Sequence, residues 1–182
     1  DALVLPMIGV SLRCLVESQR VKPAQFHLHL FASDQPPPPL TPETEWHKDS
    51  VHLAHVIEQH LKRRGLAYRS PEADPGEETA TLRLPGRQIH VHRIDGSPAD
   101  YNNMLAYFSR ELPPMRRWVD AGDVVYLEVT GGTPAMTSML IVAGVEAFGE
   151  QARTLYVERG ADRPYAVGIG RRLFARRAQN TL

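Results

Sequence analysis

This chain of 182 residues has one cysteine, no excess of either charge and no long apolar run. With Cys14 alone, no disulfide framework can form within the chain, which fits a reducing cytosol. Its 21 basic and 21 acidic residues cancel, so the surface carries no net charge. Coating long nucleic acid normally needs a basic excess, and no such partner is expected. A small anionic ligand held in a pocket stays open. No stretch approaches the roughly 20 apolar residues needed to cross a bilayer. The phosphate-loop Lys-Ser/Thr and the dinucleotide pattern GxGxxG are both missing, and there is no internal repeat. Only "PPPPL" (36–40) is low in complexity, and four successive prolines make it a stiff, extended connector. The length suits one domain, 1–182, with a real core. An apolar strand starts directly after Asp1, so the chain reads as a piece of a longer protein whose effector or anchor segment lies elsewhere.

What is present alternates between strand and helix. "ALVLPMIG" (2–9) reads as a buried strand, and "VSLRCLVESQR" (10–20) has helical spacing at Leu12, Leu15 and Val16. "QFHLHLFAS" (25–33) alternates like a strand. Thr41-Pro42 opens a helix with Trp46, Leu53, Ile57 and Leu61 near one face, ending at Lys62-Arg63-Arg64-Gly65. An acidic loop spans 69–79. "TLRLPGRQIHVHRI" (81–94) is either a hairpin about Pro85-Gly86 or one strand with a lead-in. "SPAD" (97–100) has the form of a capping box, with Pro98 as first helical residue. The helix it opens carries Met104, Leu105 and Phe108 and stops before Pro113-Pro114. "DVVYLEV" (123–129) is a strand. The segment after it is apolar all round, hence a buried helix, and 153–158 and 165–174 add two strands. The expected class is α/β: a Rossmann-like domain with a mainly parallel central sheet flanked by helices. Ligands in such sheets collect where strands hand over to helices, which here means residues 9–12, 33–35 and 130–136.

The stretch between the 123–129 strand and its helix is the most informative: "VTGGTPAM" (129–136). Thr133 is placed to cap the helix and Pro134 to fill its first turn. Gly131 and Gly132 let the backbone approach a ligand, and free amides at a helix start favour an anion such as phosphate. A plain tight turn explains the same residues. Other groups have equally plain readings. His27/His29 and His90/His92 are i, i+2 pairs sharing a strand face, and His52 and His55 share a helix face. Imidazoles at that spacing can bind zinc, but no cysteine or carboxylate completes a metal pattern, so packing or surface histidines are expected. Cys14 reads as a small core residue and Ser11 as a helix-capping hydroxyl. "GRRLFARRA" (170–178) faces an anionic partner or is a solvated edge. Asn102 and Asn103, in the first turn of a helix, either read a base edge or face solvent.

"VTGGTPAMTSMLIVAG", on a core strand and its helix, resembles the signature of CARF domains, the Rossmann-like sensors of CRISPR-associated proteins. "PMIGVSL" (6–12) looks like that family's ligand loop after strand one, and "FASDQ" (31–35) like its second strand ending. The layout covers about residues 2–175, and the Gly-Gly motif is its specific part. The resemblance implies a homodimer that binds a cyclic oligoadenylate, tetra-adenylate ahead of hexa-adenylate, across its two-fold axis. Binding would activate an attached nuclease, membrane or regulatory effector in type III CRISPR antiviral defence. It places Gly9, Val10, Ser11 and Leu12 under the ring. Ser33, Asp34 and Gln35 become candidates for adenine or ribose contacts, and Thr130, Gly131, Gly132, Thr133, Pro134 and Met136 line the floor; Asn102, from its place in the first turn of its helix, is a further ligand-binding candidate. It implies no cofactor, no metal and no catalytic residue, in a cytoplasmic protein or the cytosolic part of a membrane-anchored one.

The alternative is an enzyme, a ring nuclease cleaving the same ligand, in which the protein holds in-line geometry and stabilises charge. Many family members carry Lys after "TGGT", where this chain has Pro134, and that departure counts against cleavage. A dinucleotide-dependent enzyme is disfavoured because "MIGVSLR" lacks the glycine triplet that pyrophosphate needs.

Overall fold

Hydrophobic periodicity sets most of the elements. The computed structural model describes residues 8–17, 22–33, 50–68, 80–158, 161 and 163–168. Residues 2–7 of the expected 2–9 strand, the proline run, Thr41-Pro42, Trp46, the acidic loop, Asp34, Gln35 and the basic stretch 170–178 lie outside these residues. The chain divides into two compact units, Asp1–Asp95 and Gly96–Leu182.

In the first unit, helix α1 (Ile8–Glu17) buries Leu12, Leu15 and Val16. It begins two residues earlier than the spacing suggests, so Ile8 and Gly9 are helical rather than the end of a strand. Strand β1 (Leu28–Ser33) follows. Helix α2 (Ser50–Arg63) buries Ala54, Ile57 and Leu61. Leu53, expected on that face, is half exposed, because the buried stripe is centred nearer Ala54 and leaves Leu53 at its edge. Gly65 closes the helix with φ +76° and its amide bonded to the His60 carbonyl. No side chain fits there: a Cβ would lie 2.6 Å from the Leu82 carbonyl oxygen.

Strand β2 (Leu66–Tyr68) pairs antiparallel with β3 (Ala80–Leu82), and strand β4 (Ile89–Ile94) pairs parallel with β1. Residues 81–94 are therefore not a hairpin. Pro85 and a single 3₁₀ turn at Gly86–Gln88 redirect the chain from one sheet to another. Helix α1 packs on β2, and α2 on β1 and β4.

In the second unit, helix α3 (Tyr101–Glu111) buries Met104 and Phe108, leaves Leu105 exposed, and ends before Pro113 as expected. Its cap is Asp100, not Ser97. The Asp100 carboxylate accepts from the Asn102 and Asn103 amides at 2.8 and 3.1 Å, while Ser97 and Pro98 belong to a preceding turn closed by Asp100 N–H on the Ser97 carbonyl. A carboxylate also complements the helix dipole, which a hydroxyl does less well.

Strand β5 (Val125–Glu128) leads through the Gly-Gly turn into helix α4 (Pro134–Phe148). Strand β6 (Ala152–Tyr156) then pairs parallel with β5, and β7 (Tyr165–Val167) pairs antiparallel with β6. Helix α4 packs on α3, β5 and β6. It is buried over Ala143–Val145 and at Ala147 and Phe148, but Thr137–Ile141 are half-buried and Val142 is 49% exposed. An all-round apolar sequence is thus covered only along part of this helix. Gly144 permits the closest approach, since a Cβ there would stand 2.5 Å from Leu127 Cδ1.

The class is mixed α/β. Among the described residues three small sheets appear, β1-β4, β2-β3 and β5-β6-β7. Each parallel pair is joined by a helical crossover, as parallel strands require.

Candidate functional site

The Gly-Gly turn begins at the carboxyl end of β5. Glu128 ends the strand and its carboxylate accepts from the Thr130 amide at 2.9 Å. The Thr130 hydroxyl accepts from the Val157 amide at 2.7 Å, tying the turn to the residue after β6. Gly131 and Gly132 are exposed, and Gly132 has φ +99°, a conformation that side chains rarely adopt. A Cβ on Gly132 would meet the Met136 side chain at 3.4 Å, so Met136 backs the turn. Among the described residues, neither glycine amide meets an acceptor.

Thr133 is the N-cap of α4, as its position suggests: its hydroxyl accepts from the Met136 amide at 3.2 Å. The same hydroxyl donates to the Pro98 carbonyl, ahead of α3. Thr133 is therefore committed in both senses and supports the turn rather than reaching out of it. Pro134 occupies the first helical position and is exposed. The arrangement offers two unclaimed amides, Gly131 and Gly132, at a helix start where the dipole favours negative charge. The Glu128 carboxylate, bonded to the Thr130 amide, works against a second anion beside it.

Asn102 belongs to the same unit and lies in the first turn of α3. Its side chain is exposed and its amide is held by Asp100. Asn103 is half-buried and donates to the Ser97 carbonyl at 3.2 Å, so it braces the turn instead.

In the first unit, Gly9, Val10, Ser11 and Leu12 form the first turns of α1 and all four are buried. Ser11 Oγ is buried and has no hydrogen-bond partner among the described residues. An orphaned hydroxyl is uncommon, because leaving one unpaired costs about 1–3 kcal/mol. Ser33 closes β1, buried, and its backbone is clamped by a side chain that the sequence did not single out. Ser50 Oγ accepts from the Ser33 amide at 2.8 Å and donates to the Ser33 carbonyl at 2.7 Å. Cys14 is half-buried.

Four of the eight histidines, His27, His29, His90 and His92, form one assembly. Parallel register sets His29 beside His90 and Phe31 beside His92. The rings of His27, His90, His29, His92 and Phe31 stack in that order, with successive centroids 4.5–5.7 Å apart. His29 Nδ1 and His92 Nε2 are 2.9 Å apart, sharing one hydrogen bond. Near-parallel rings do not converge on a point, and among the described residues no group of three or more His, Cys, Asp or Glu is placed to hold a metal. No described helix is long and apolar enough to cross a membrane. Compared with protein-family models, curated proteins and solved structures, the chain matches none.

Proposed function

We propose that this chain is a ligand-sensing domain of the CARF kind. It binds a cyclic oligoadenylate across a homodimer and transmits the binding to an attached effector. The observation that carries the reading is the turn at Thr130–Thr133: two exposed glycines with unclaimed amides, held between the carboxyl end of β5 and the start of α4. That is where an α/β protein receives a phosphate-bearing ligand. The Rossmann-like, mainly parallel sheet is part of the proposal, supported by two parallel strand pairs each crossed over by a helix. Pro134 at the first position of α4 supplies no cation or acid for cleavage, so the sensor is preferred to the ring nuclease.

The test is calorimetric titration with cyclic tetra- and hexa-adenylate, followed by chromatography of the recovered ligand. Intact ring bound tightly is the expected result. Gly131→Phe, at an exposed glycine without a positive φ, should weaken binding at least about tenfold while leaving the thermal melt in place. Linear products would make the protein an enzyme. No binding of either ring returns the turn to a purely structural role.

A further inference from the structure

A cleft of about 470 Å³ lies wholly within the first unit, bordered by Ala24, His27, Arg83, Pro85, Arg87 and Gln88. We propose that it is a second binding site, for a small ligand carrying a phosphate group. This inference is independent of the Gly-Gly turn.

His27 immediately precedes β1 and Gln88 immediately precedes β4, and Leu28 is paired with Ile89. The cleft therefore sits at the amino ends of this strand pair. Ser33 is at the other end of β1, roughly 16 Å away at the rise of an extended chain. All the charge on the lining is positive or protonatable. Arg83 and Arg87 are exposed, and neither has an ion-pair partner among the described residues. Lys62, whose stem lies against Gly86, is by contrast already paired with Glu58. In a chain with no net charge, two guanidinium groups facing one cleft, with no carboxylate on its lining among the described residues, are a local surplus.

The walls are built rather than accidental. Gln88 is 5% exposed, and its Nε2 donates to the Ala24 and Phe26 carbonyls at 3.0 and 2.8 Å. That side chain fastens the approach to β1 against the approach to β4. The His27 ring is held by stacking on His90, with Nδ1 3.4 Å from His90 Nε2. A volume of this size lies in the range of small-molecule sites and exceeds that of a lone phosphate, which leaves room for an organic body beside the phosphate group. Phosphate is favoured over carboxylate. Each guanidinium presents paired N–H donors, and a tetrahedral dianion offers two of them more acceptor oxygens and more charge than a single carboxylate does.

The experiment is an NMR titration of the full chain with inorganic phosphate, at constant pH and with sodium chloride holding ionic strength fixed. Saturable shifts confined to 24–27 and 83–88 are expected. Arg83→Gln/Arg87→Gln should weaken them about tenfold or more without changing the remaining spectrum. Both side chains are exposed; if the double variant unfolds, each single substitution is read in the same way. Shifts no different from those with chloride, an equal response to acetate, or undiminished binding by the variants would each overturn the proposal. Residues 130–136 should not respond in step with the cleft, so its failure and that of the Gly-Gly site are separable.

Discussion

A single hydroxyl closes the carboxyl end of β1. Ser50 Oγ satisfies both the amide and the carbonyl of the buried Ser33. Ser50→Ala leaves both unpaired and should lower unfolding stability by about 1–3 kcal/mol, measured by chemical denaturation. An unchanged midpoint would mean that water replaces the hydroxyl. Such a bond joins residues 17 apart, and nothing in local spacing announces it. The Thr133 cap was legible, because Thr-Pro before an apolar helix has one cheap use. The true cap of α3 was not. Ser97 and Asp100 both qualify by composition, and the choice depended on which of them a turn through Pro98 leaves facing the helix.

Helix α2 shows what an element adds to its residues. Glu58 stands one turn before Lys62, 2.5 Å from its ammonium, with His55 on the other side at 3.1 Å. The hydrogen bond from Lys62, then that from His55, hold the Glu58 carboxyl below its ordinary value of 4.5, against the opposing pull of burial. A depressed folded value means that the unfolded chain takes up this proton first as pH falls. The stabilisation is complete above pH 4.5 and is lost as pH drops through the lowered folded value. Glu58→Gln should therefore cost about 0.3–1 kcal/mol at neutral pH, with the gap to the native chain closing in melts taken below pH 4.5. A gap that persists at pH 3 would assign Glu58 a packing role.

The same scale shows why some elements were readable. Helices α2, α3 and α4 and strands β1, β4, β5 and β6 carry enough residues for a period to emerge. Strand β2 has three and passed unnoticed. The histidine pairs each read as one face of a strand, yet the stack they build required the parallel register of β1 with β4. Arg83 and Arg87 gave no pattern, because their meaning comes from the cleft between two approaches to strands.

At the scale of the whole molecule, the proposed sensor makes a demand on stoichiometry. A ring with two-fold symmetry can give each protomer half of itself. Analytical ultracentrifugation with cyclic tetra-adenylate should find one ring per two chains, and one ring per chain would overturn the shared site. Within the second unit, the turn that would receive the phosphate is pinned at both ends. Thr130 holds it to the segment after β6 and Thr133 to the segment before α3, each through a hydroxyl. Two small side chains thus set the shape of the glycine backbone before anything arrives. Docking there forfeits little conformational entropy, and its speed should follow diffusion rather than the folding of a loop.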